Sequence, residues 1–253
     1  MSQFKEWDLQ VFDTRRKSYV NDSTGVGVVM VTGTPALVTV KADQQGTSLT
    51  QPITLNSGRL RFFTAKTVTS VDISILTSTG QAIFASAVDS SVHRLDVNPE
   101  ERHQLLVLPA IFNAGGTVTD TGFDLPANLL ITDAFVRVTT VDATETVDVG
   151  LLAGEAGGDE NGFLSLVSVA NAGFVHTGGA VNNGATSDFF DAVTYGVLLA
   201  SFINGSDAAA TSGGVVRRSH LTDGIAKSIT YTPSGSDTFA GYIYLSFLKL
   251  VGV

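Results

Sequence analysis

The sequence predicts an all-β protein with two parts, a small N-terminal antiparallel β-sandwich followed by a larger jelly-roll-like β-sandwich. Charged residues make up only 15% of the 253 positions. Gly, Ser, Thr, Val and Ala dominate instead, a composition that favours strands joined by turns over exposed helices. Short apolar or alternating runs recur along the chain with turn formers between them. This length is enough to build one large all-β domain or two ordinary ones, each with a true core.

Five strand-like runs occupy the first part of the chain. The clearest is Val71–Leu76, in which apolar and polar residues alternate as in a strand with one buried face. The five runs are 27–32, 36–41, 60–63, 71–76 and 82–85. Several short strands at this spacing predict a small antiparallel sandwich.

The second part repeats this pattern on a larger scale. Its strand-like runs are 105–109, 129–141, 146–152, 163–169, 195–199, 226–231 and 242–250. Two long loops, 177–186 and 204–214, consist of turn formers. About eight strands with two long excursions predict a jelly roll or a similar double sheet. The aromatic-rich final run, with Tyr242, Tyr244 and Phe247, is expected in the middle of a sheet, while Asp188–Tyr195 fits either a short helix or a strand.

A domain boundary is expected near Asn98, where an Asn-Pro turn precedes a short charge run. The predicted domains are therefore 1–98 and 99–253. Residues 1–102 hold ten basic and ten acidic groups, whereas residues 103–253 hold five basic and fourteen acidic groups, so the net charge of −9 lies in the second part. This asymmetry favours a neutral, partly basic foot that sits on a large acidic surface, and drift in surface composition is the alternative.

The segment Thr146–Ala170 places an acidic, glycine-rich loop between two strand-like runs. Its oxygen-bearing residues are of the type that binds calcium: Asp148, Glu155, Asp159, Glu160 and Asn161. Their spacing lacks the regular ligand positions and closing glutamate of an EF-hand. A solvated hairpin turn is therefore the favoured interpretation.

Catalytic motifs are missing from the sequence. The absence of cysteine excludes thiolate catalysis and cysteine-bound zinc. Four scattered histidines, His93, His103, His176 and His220, form no HExxH or HxH pattern. No serine lies in a GxSxG turn, and the glycines at 154–158 lack a P-loop lysine. The sequence therefore predicts no catalytic residue, no metal site, no cofactor and no enzyme activity.

The expected partners are proteins. No uninterrupted apolar run of about 18 residues is present, and the N-terminus lacks the apolar core of a signal peptide. We therefore expect a soluble protein that is made in a cytoplasm and has no membrane partner. A net charge of −9 argues against nucleic acid as a partner, because binding to phosphates needs a dense basic face.

Several short sequence segments resemble virion proteins of tailed bacteriophages. A resemblance to the C-terminal part of small virion proteins, which include head decoration (cement) proteins, is found in the segments 122–127, 147–152, 159–164 and 167–173. Those at 51–54, 58–63 and 71–73 are similar to the small β modules that precede such bodies. The resemblance implies an all-β protein on the exterior of the virion. It also implies that the protein binds the major capsid protein, often as a homotrimer, and strengthens the shell.

If the N-terminal part is the attachment foot, its cations and apolar residues are the candidates for capsid contact. These are Arg15, Arg16, Lys17, Arg59 and Arg61, with Phe4 and Trp7 as apolar anchors. Arg and Trp dominate the energetics of protein interfaces. The alternative is that Trp7 packs in its own domain.

Two other functions compete with capsid decoration. A fibre or receptor-binding module with a lectin-like sandwich would hold a glycan or host protein in the loops 177–186 and 204–214. Neither loop contains an aromatic residue on which a sugar could stack, which favours decoration. A polysaccharide-degrading enzyme would need two carboxylates about 5–10 Å apart across a sugar, and no such pair is identifiable in the sequence.

Overall fold

The computed structural model describes residues 3–97, 103–111, 116–154, 158–175, 200–202, 215–217, 220–222, 227–235 and 238–250. Every regular element in these ranges is a β-strand, which confirms the all-β fold class. None of the described residues belongs to a helix long and apolar enough to cross a membrane. The chain divides into two compact units, Met1–Pro109 and Ala110–Val253.

The first unit contains two four-stranded sheets. Its strands are β1 (Phe4–Asp13), β2 (Ser18–Tyr19), β3 (Val26–Val31), β4 (Ile53–Thr54), β5 (Arg59–Ala65), β6 (Ser70–Leu76), β7 (Ala82–Asp89) and β8 (Arg94–Val97). One sheet has the order β2-β1-β5, with β8 pairing in parallel with β1, and the other has the order β4-β3-β6-β7. Apart from the β1–β8 pair, the strand pairs in both sheets are antiparallel.

Alternation along the strands builds the core of the first unit. In β1, every second residue from Trp7 to Asp13 is buried, while the residues between them lie on the outer face. Trp7 and Phe62 of one sheet and Ile73 of the other are each at most 1% exposed and belong to one hydrophobic cluster. Each such side chain stabilises the fold by about 1.5–3 kcal/mol through burial. The first unit is therefore the predicted small sandwich.

Two details of the first unit differ from the sequence prediction. Strand β1 was not predicted, although its alternation is regular over ten residues. Residues 36–41 were predicted as a strand but form only isolated bridges, at Leu37 and Lys41. The side chain of Gln51 hydrogen-bonds to the backbone on both sides of this gap, at Val29 and at Val38. Its Oε1 accepts the Val29 N–H at 2.6 Å, and its Nε2 donates to the Val38 carbonyl at 2.8 Å.

The described strands of the second unit range from two to twelve residues in length. They are β10 (Thr119–Leu125), β11 (Leu129–Thr140), β12 (Thr146–Leu151), β13 (Leu164–Ser168), β14 (Gly173–Val175), β15 (Ala200–Phe202), β16 (Val215–Arg217), β17 (His220–Leu221), β18 (Lys227–Pro233) and β19 (Ala240–Lys249), while β9 (His103–Ile111) spans the division between the units. One sheet has the order β10-β18-β12-β13. A second sheet has the order β14-β11-β19-β9, with β17 also pairing with β11, and β15 and β16 form a separate two-stranded sheet.

The strand order of these two sheets is that of a jelly roll. Without β15, β16 and β17, eight of the described strands remain from β9 to β19, and the first pairs with the last. The second pairs with the seventh, the third with the sixth and the fourth with the fifth. A single long hairpin rolled into two sheets produces this nesting, which is the double-sheet jelly-roll architecture. The predicted larger jelly-roll-like sandwich is therefore confirmed.

Other expectations for the second unit have mixed outcomes. Strand β19 lies between β11 and β9, as expected for the aromatic-rich final run. Strand β10 was not predicted, because its register is broken between Asp120 and Asp124 and hides the alternation. The runs 188–195 and 195–199 lie outside the described residues, and so does Asn98, where the boundary between domains 1–98 and 99–253 was predicted.

Candidate functional site

The β1–β2 hairpin presents a run of three cations at a fixed turn. Strand β1 ends at Asp13, which is 6% exposed, and its Oδ1 accepts the backbone N–H groups of Arg15 at 2.9 Å and Arg16 at 2.8 Å. The Thr14 N–H donates to the Val97 carbonyl at 3.0 Å, which ties the turn to β8. Lys17 completes the turn with a φ of 51°. The backbone of this turn is therefore held by hydrogen bonds while its long side chains point to solvent.

Three consecutive residues of this turn are cationic. Arg15, Arg16 and Lys17 are all exposed. The Arg16 side chain is 81% exposed, and its Nε lies 3.7 Å from Asp13 Oδ2. Such an exposed pair contributes little stability, about 0–1 kcal/mol. The turn thus places three exposed cations next to one another on a chain with a net charge of −9.

An aromatic pair lies on the strands directly behind the turn. Phe12 and Tyr19 are cross-strand partners, with their ring centroids 5.3 Å apart in an edge-to-face arrangement. Tyr19 is 53% exposed. The guanidinium of Arg94 lies 4.5 Å above the Phe12 ring and makes two contacts with Asp96, at 2.6 and 3.0 Å. We call the cations of the turn together with Phe12 and Tyr19 the hairpin surface.

Arg59 and Arg61 lie on the same outer face of the sheet, but each has an acidic partner on β1. Arg61 Nε and Nη2 are both 2.7 Å from Glu6 Oε1. Arg59 Nε lies 3.5 Å from Asp8 Oδ1, an ion pair without hydrogen-bond geometry. Both arginine side chains remain about half exposed, at 51% and 59%. This part of the face therefore carries paired charges.

The two predicted apolar anchors lie against their own unit. Trp7 is 1% exposed, stacks on Phe62 at 5.7 Å and donates its indole N–H to Thr64 Oγ1 at 2.8 Å. This burial corrects the expectation of a surface anchor, since the ring is part of the core. Phe4 is half-buried and packs over Gly46, where an added Cβ would lie 2.8 Å from the ring.

The sequence prediction missed Phe12, Tyr19 and Arg94. A regular alternation through β1 was the available signal, because it puts Phe12 on the face opposite Trp7. The contribution of Arg94 was not visible in the sequence, since it depends on the parallel pairing of β8 with β1, in which Phe12 is opposite Asp96.

The acidic segment of the second unit forms the predicted hairpin. Strands β12 and β13 pair antiparallel, and the Leu151 N–H donates to the Asp159 carbonyl at 2.7 Å. Gly150 is required here because a Cβ would collide with that carbonyl. Asp148 Oδ1 accepts the Leu166 N–H at 2.6 Å. Burial raises the pKa of Asp148, and the nearby charge of Asp159 adds to this shift. Glu155 lies outside the described residues.

The part of the chain that the structure describes contains no candidate metal site. No group of three or more His, Cys, Asp or Glu side chains is arranged to hold a metal ion there. His93 and His103 are exposed, and His220 lies 6.1 Å from the Phe163 ring. His176 and the loops 177–186 and 204–214 are outside the described residues.

Comparisons with known proteins leave the chain without a family. No protein-family model and no curated protein sequence matches it. A solved structure of infectious bursal disease virus, Gt strain, is similar over 97% of this chain and 56% of the viral chain, with 10% identity and a TM-score of 0.23. The chain thus spans just over half of the length of the viral chain. The jelly-roll assignment rests on strand order and register within this protein.

Proposed function

We propose that this protein is a structural virion protein that binds the outer surface of a phage capsid and stabilises the shell, as a homotrimer and without enzymatic activity. The observation that carries this proposal is the hairpin surface, in which three exposed cations project from a rigid turn beside an aromatic pair. The resemblance of several sequence phrases to phage decoration proteins suggests the kind of partner. The fold alone does not suggest a partner, because jelly rolls serve many functions.

The hairpin surface suits an acidic protein partner. Complementary charge accelerates association and fixes register, while buried aromatic and arginine side chains supply most of the affinity. Tyr19 offers an exposed ring for burial, and Arg94 stacks on Phe12 beside it. Because the excess acidic groups all lie in residues 103–253, the near-neutral first part is the one that can approach an acidic lattice without repulsion.

Oligomerisation would allow a small contact surface to bind the capsid tightly. One hairpin surface offers few contacts, so a monomer would bind weakly. A symmetric trimer engages three equivalent capsid sites at once, and linkage of the contacts multiplies the affinity. The proposed partners are accordingly the major capsid protein and two further copies of this chain, with no role for nucleic acid or membrane. Arg59 and Arg61 belong to the proposed contact face as paired charges at its rim.

The proposal is tested by co-sedimentation of the purified protein with capsids stripped of surface proteins. Replacing Arg15, Arg16 and Lys17 together by serine should weaken binding about tenfold and flatten its dependence on salt. Lys66→Ser, which removes an exposed cation from a different turn, is the control and should bind as the wild type does. Light scattering should give the mass of three chains. Equal binding by the triple variant, or a monomeric protein that does not co-sediment, would contradict the proposal.

A further inference from the structure

A cluster of aromatic rings lies on the outer face of the five-stranded sheet of the second unit. Phe135 and Tyr244 are cross-strand partners, stacked with centroids 4.8 Å apart and planes 4° apart. The Phe174 ring packs against both at a tilt, with its centroid 5.8 Å from that of Phe135 and 5.6 Å from that of Tyr244. Phe135 and Tyr244 are half-buried, but Phe174 is 65% exposed, the highest value among the exposed large apolar residues of the described chain. Three rings in contact therefore present one of them to solvent.

The exposed ring has a cation beside it. Arg137 is the cross-strand partner of Phe174, and its guanidinium carbon lies 5.7 Å from the centre of that ring. Arg137 is itself exposed. It is one of only five basic residues in the acidic stretch 103–253. A guanidinium that lies over an aromatic ring combines a stacking surface with a planar fork of hydrogen-bond donors that matches a carboxylate.

The platform is held in a defined position. Gly173 starts β14 with a φ of 113°, a conformation that side chains disfavour. Among the described strands, β14 stands at the end of the sheet order, and Phe174 lies on it. The contacts with Phe135 and Tyr244 then fix the tilt of its ring.

The size of the exposed patch identifies the kind of ligand. An aromatic side chain presents about 150–250 Å², so the free part of Phe174 is on the order of 100–150 Å². A stable interface with another protein or with a second copy takes about 800 Å² from each partner. Among the described residues, the other exposed large apolar side chains along β11 and directly after it are Val141, about 13 Å from Arg137 along the chain, and Leu221, whose partner Leu130 is about 23 Å from Arg137. The exposed part of Phe174 therefore matches one sugar ring and is far smaller than a protein interface.

We propose that Phe174 and Arg137 form a binding site for a carboxylated saccharide. The apolar C–H face of a pyranose ring stacks on Phe174, because the aromatic face is electron-rich and the C–H groups are weakly positive. The Arg137 guanidinium binds the sugar carboxylate through two parallel N–H donors. This site lies in the second unit, whereas the hairpin surface lies in the first, so either can be disrupted without the other.

Titration calorimetry and NMR with two defined probes test the site. The probes are a glucuronic-acid hexasaccharide and a neutral glucose hexasaccharide. The acidic probe should bind about tenfold more tightly than the neutral one. Phe174→Ala should remove detectable binding of both. Arg137→Gln should reduce affinity for the acidic probe to that of the neutral probe and leave the neutral probe unaffected. Phe84→Ala, which removes a ring that is 40% exposed in the first unit, is the matched control and should bind as the wild type does.

Three outcomes would overturn the proposal. They are no binding of either probe at millimolar concentration, equal binding by Phe174→Ala and wild type, and self-association that the Phe174→Ala substitution abolishes. The third would make the platform a contact between copies of this chain. Because Phe174 is mostly exposed, we expect its replacement to fold normally, and unchanged circular dichroism and melting temperature verify this. Capsid co-sedimentation by the same variant is expected to be normal, which separates this test from that of the proposed function.

Discussion

Replacing Asp22 by asparagine should destabilise the first unit in a pH-dependent way. Asp22 is 4% exposed, and its carboxylate joins separate parts of the chain. Its Oδ1 accepts the N–H groups of Thr24 at 3.0 Å and Gly25 at 2.9 Å, and its Oδ2 accepts the N–H of Ser78 at 2.8 Å. The asparagine oxygen can keep the first two bonds. Its NH₂ group would then face the Ser78 N–H and leave that donor without an acceptor.

The expected loss of folding stability follows from the hydrogen bonds that the substitution removes. One charge-assisted bond disappears and one buried donor is stranded, so the free energy of unfolding should fall by about 1.5–3 kcal/mol at pH 7. Burial alone would raise the pKa of Asp22, but the N–H groups of Thr24, Ser78 and Gly25 outweigh it and lower the pKa below 3.8. A lowered folded-state pKa means that this stability is present above the unfolded-state pKa. It is lost as pH falls through the folded-state pKa.

Urea unfolding followed by tryptophan fluorescence measures this effect, because the single tryptophan, Trp7, is buried in the core of the same unit. The difference between wild type and Asp22→Asn should be constant from pH 7 to about pH 5 and should shrink below the unfolded-state pKa of about 4. Asp43→Asn is the control, since Asp43 accepts similar bonds from Gln45 and Thr47 in an exposed turn and should matter less. A variant within 0.5 kcal/mol of wild type, or a difference that persists unchanged at low pH, would refute the reasoning; about 0.5 kcal/mol is the ordinary effect of a surface substitution.

Two further substitutions test a buried charge in the second unit and a close backbone contact in the first. Asp148→Asn should raise the melting temperature on the order of 2 °C at pH 7. Burial and the charge of Asp159 raise the pKa of Asp148, so its ionised form costs stability above the folded-state pKa. Calorimetry should show that this gain vanishes at pH 3, and a gain of equal size at pH 3 would contradict it. Gly58→Ala should destabilise the first unit by more than about 2 kcal/mol in the Trp7 fluorescence assay, because Gly58 has a φ of 74° and a Cβ would collide with the Val20 carbonyl. Stability equal to wild type would disprove that packing.

Local patterns in the sequence predicted the features that depend on neighbouring residues. The alternation at Val71–Ile75 predicted strand β6, but the expected solvent-facing side is wrong, because Asp72 and Ser74 are buried too. Two apolar runs with turn formers between them predicted the hairpin of β12 and β13. The cation run at Arg15, Arg16 and Lys17 was visible for the same reason, since consecutive residues of a short turn share one place on the surface.

Features that depend on strand pairing were beyond the sequence. Arg59 and Arg61 were predicted as contact cations, yet the register of β1 against β5 gives each an acidic neighbour. Trp7 was considered as an anchor, and only the pairing of β1 with β5 shows that it stacks on Phe62 in the core. A one-residue change of register would move each of these side chains to the opposite face of the sheet, so no local pattern could settle their environment.

The sequence by itself determined the all-β class and the location of excess acidic charge, because composition and short-range periodicity control strand formation. The tertiary structure alone decided the nested pairing of first strand with last in the second unit. It also brought Phe174 against Phe135 and Tyr244, three rings that come from three strands. These contacts join residues far apart in the chain. They form only when burial of the common core selects one register for all the strands.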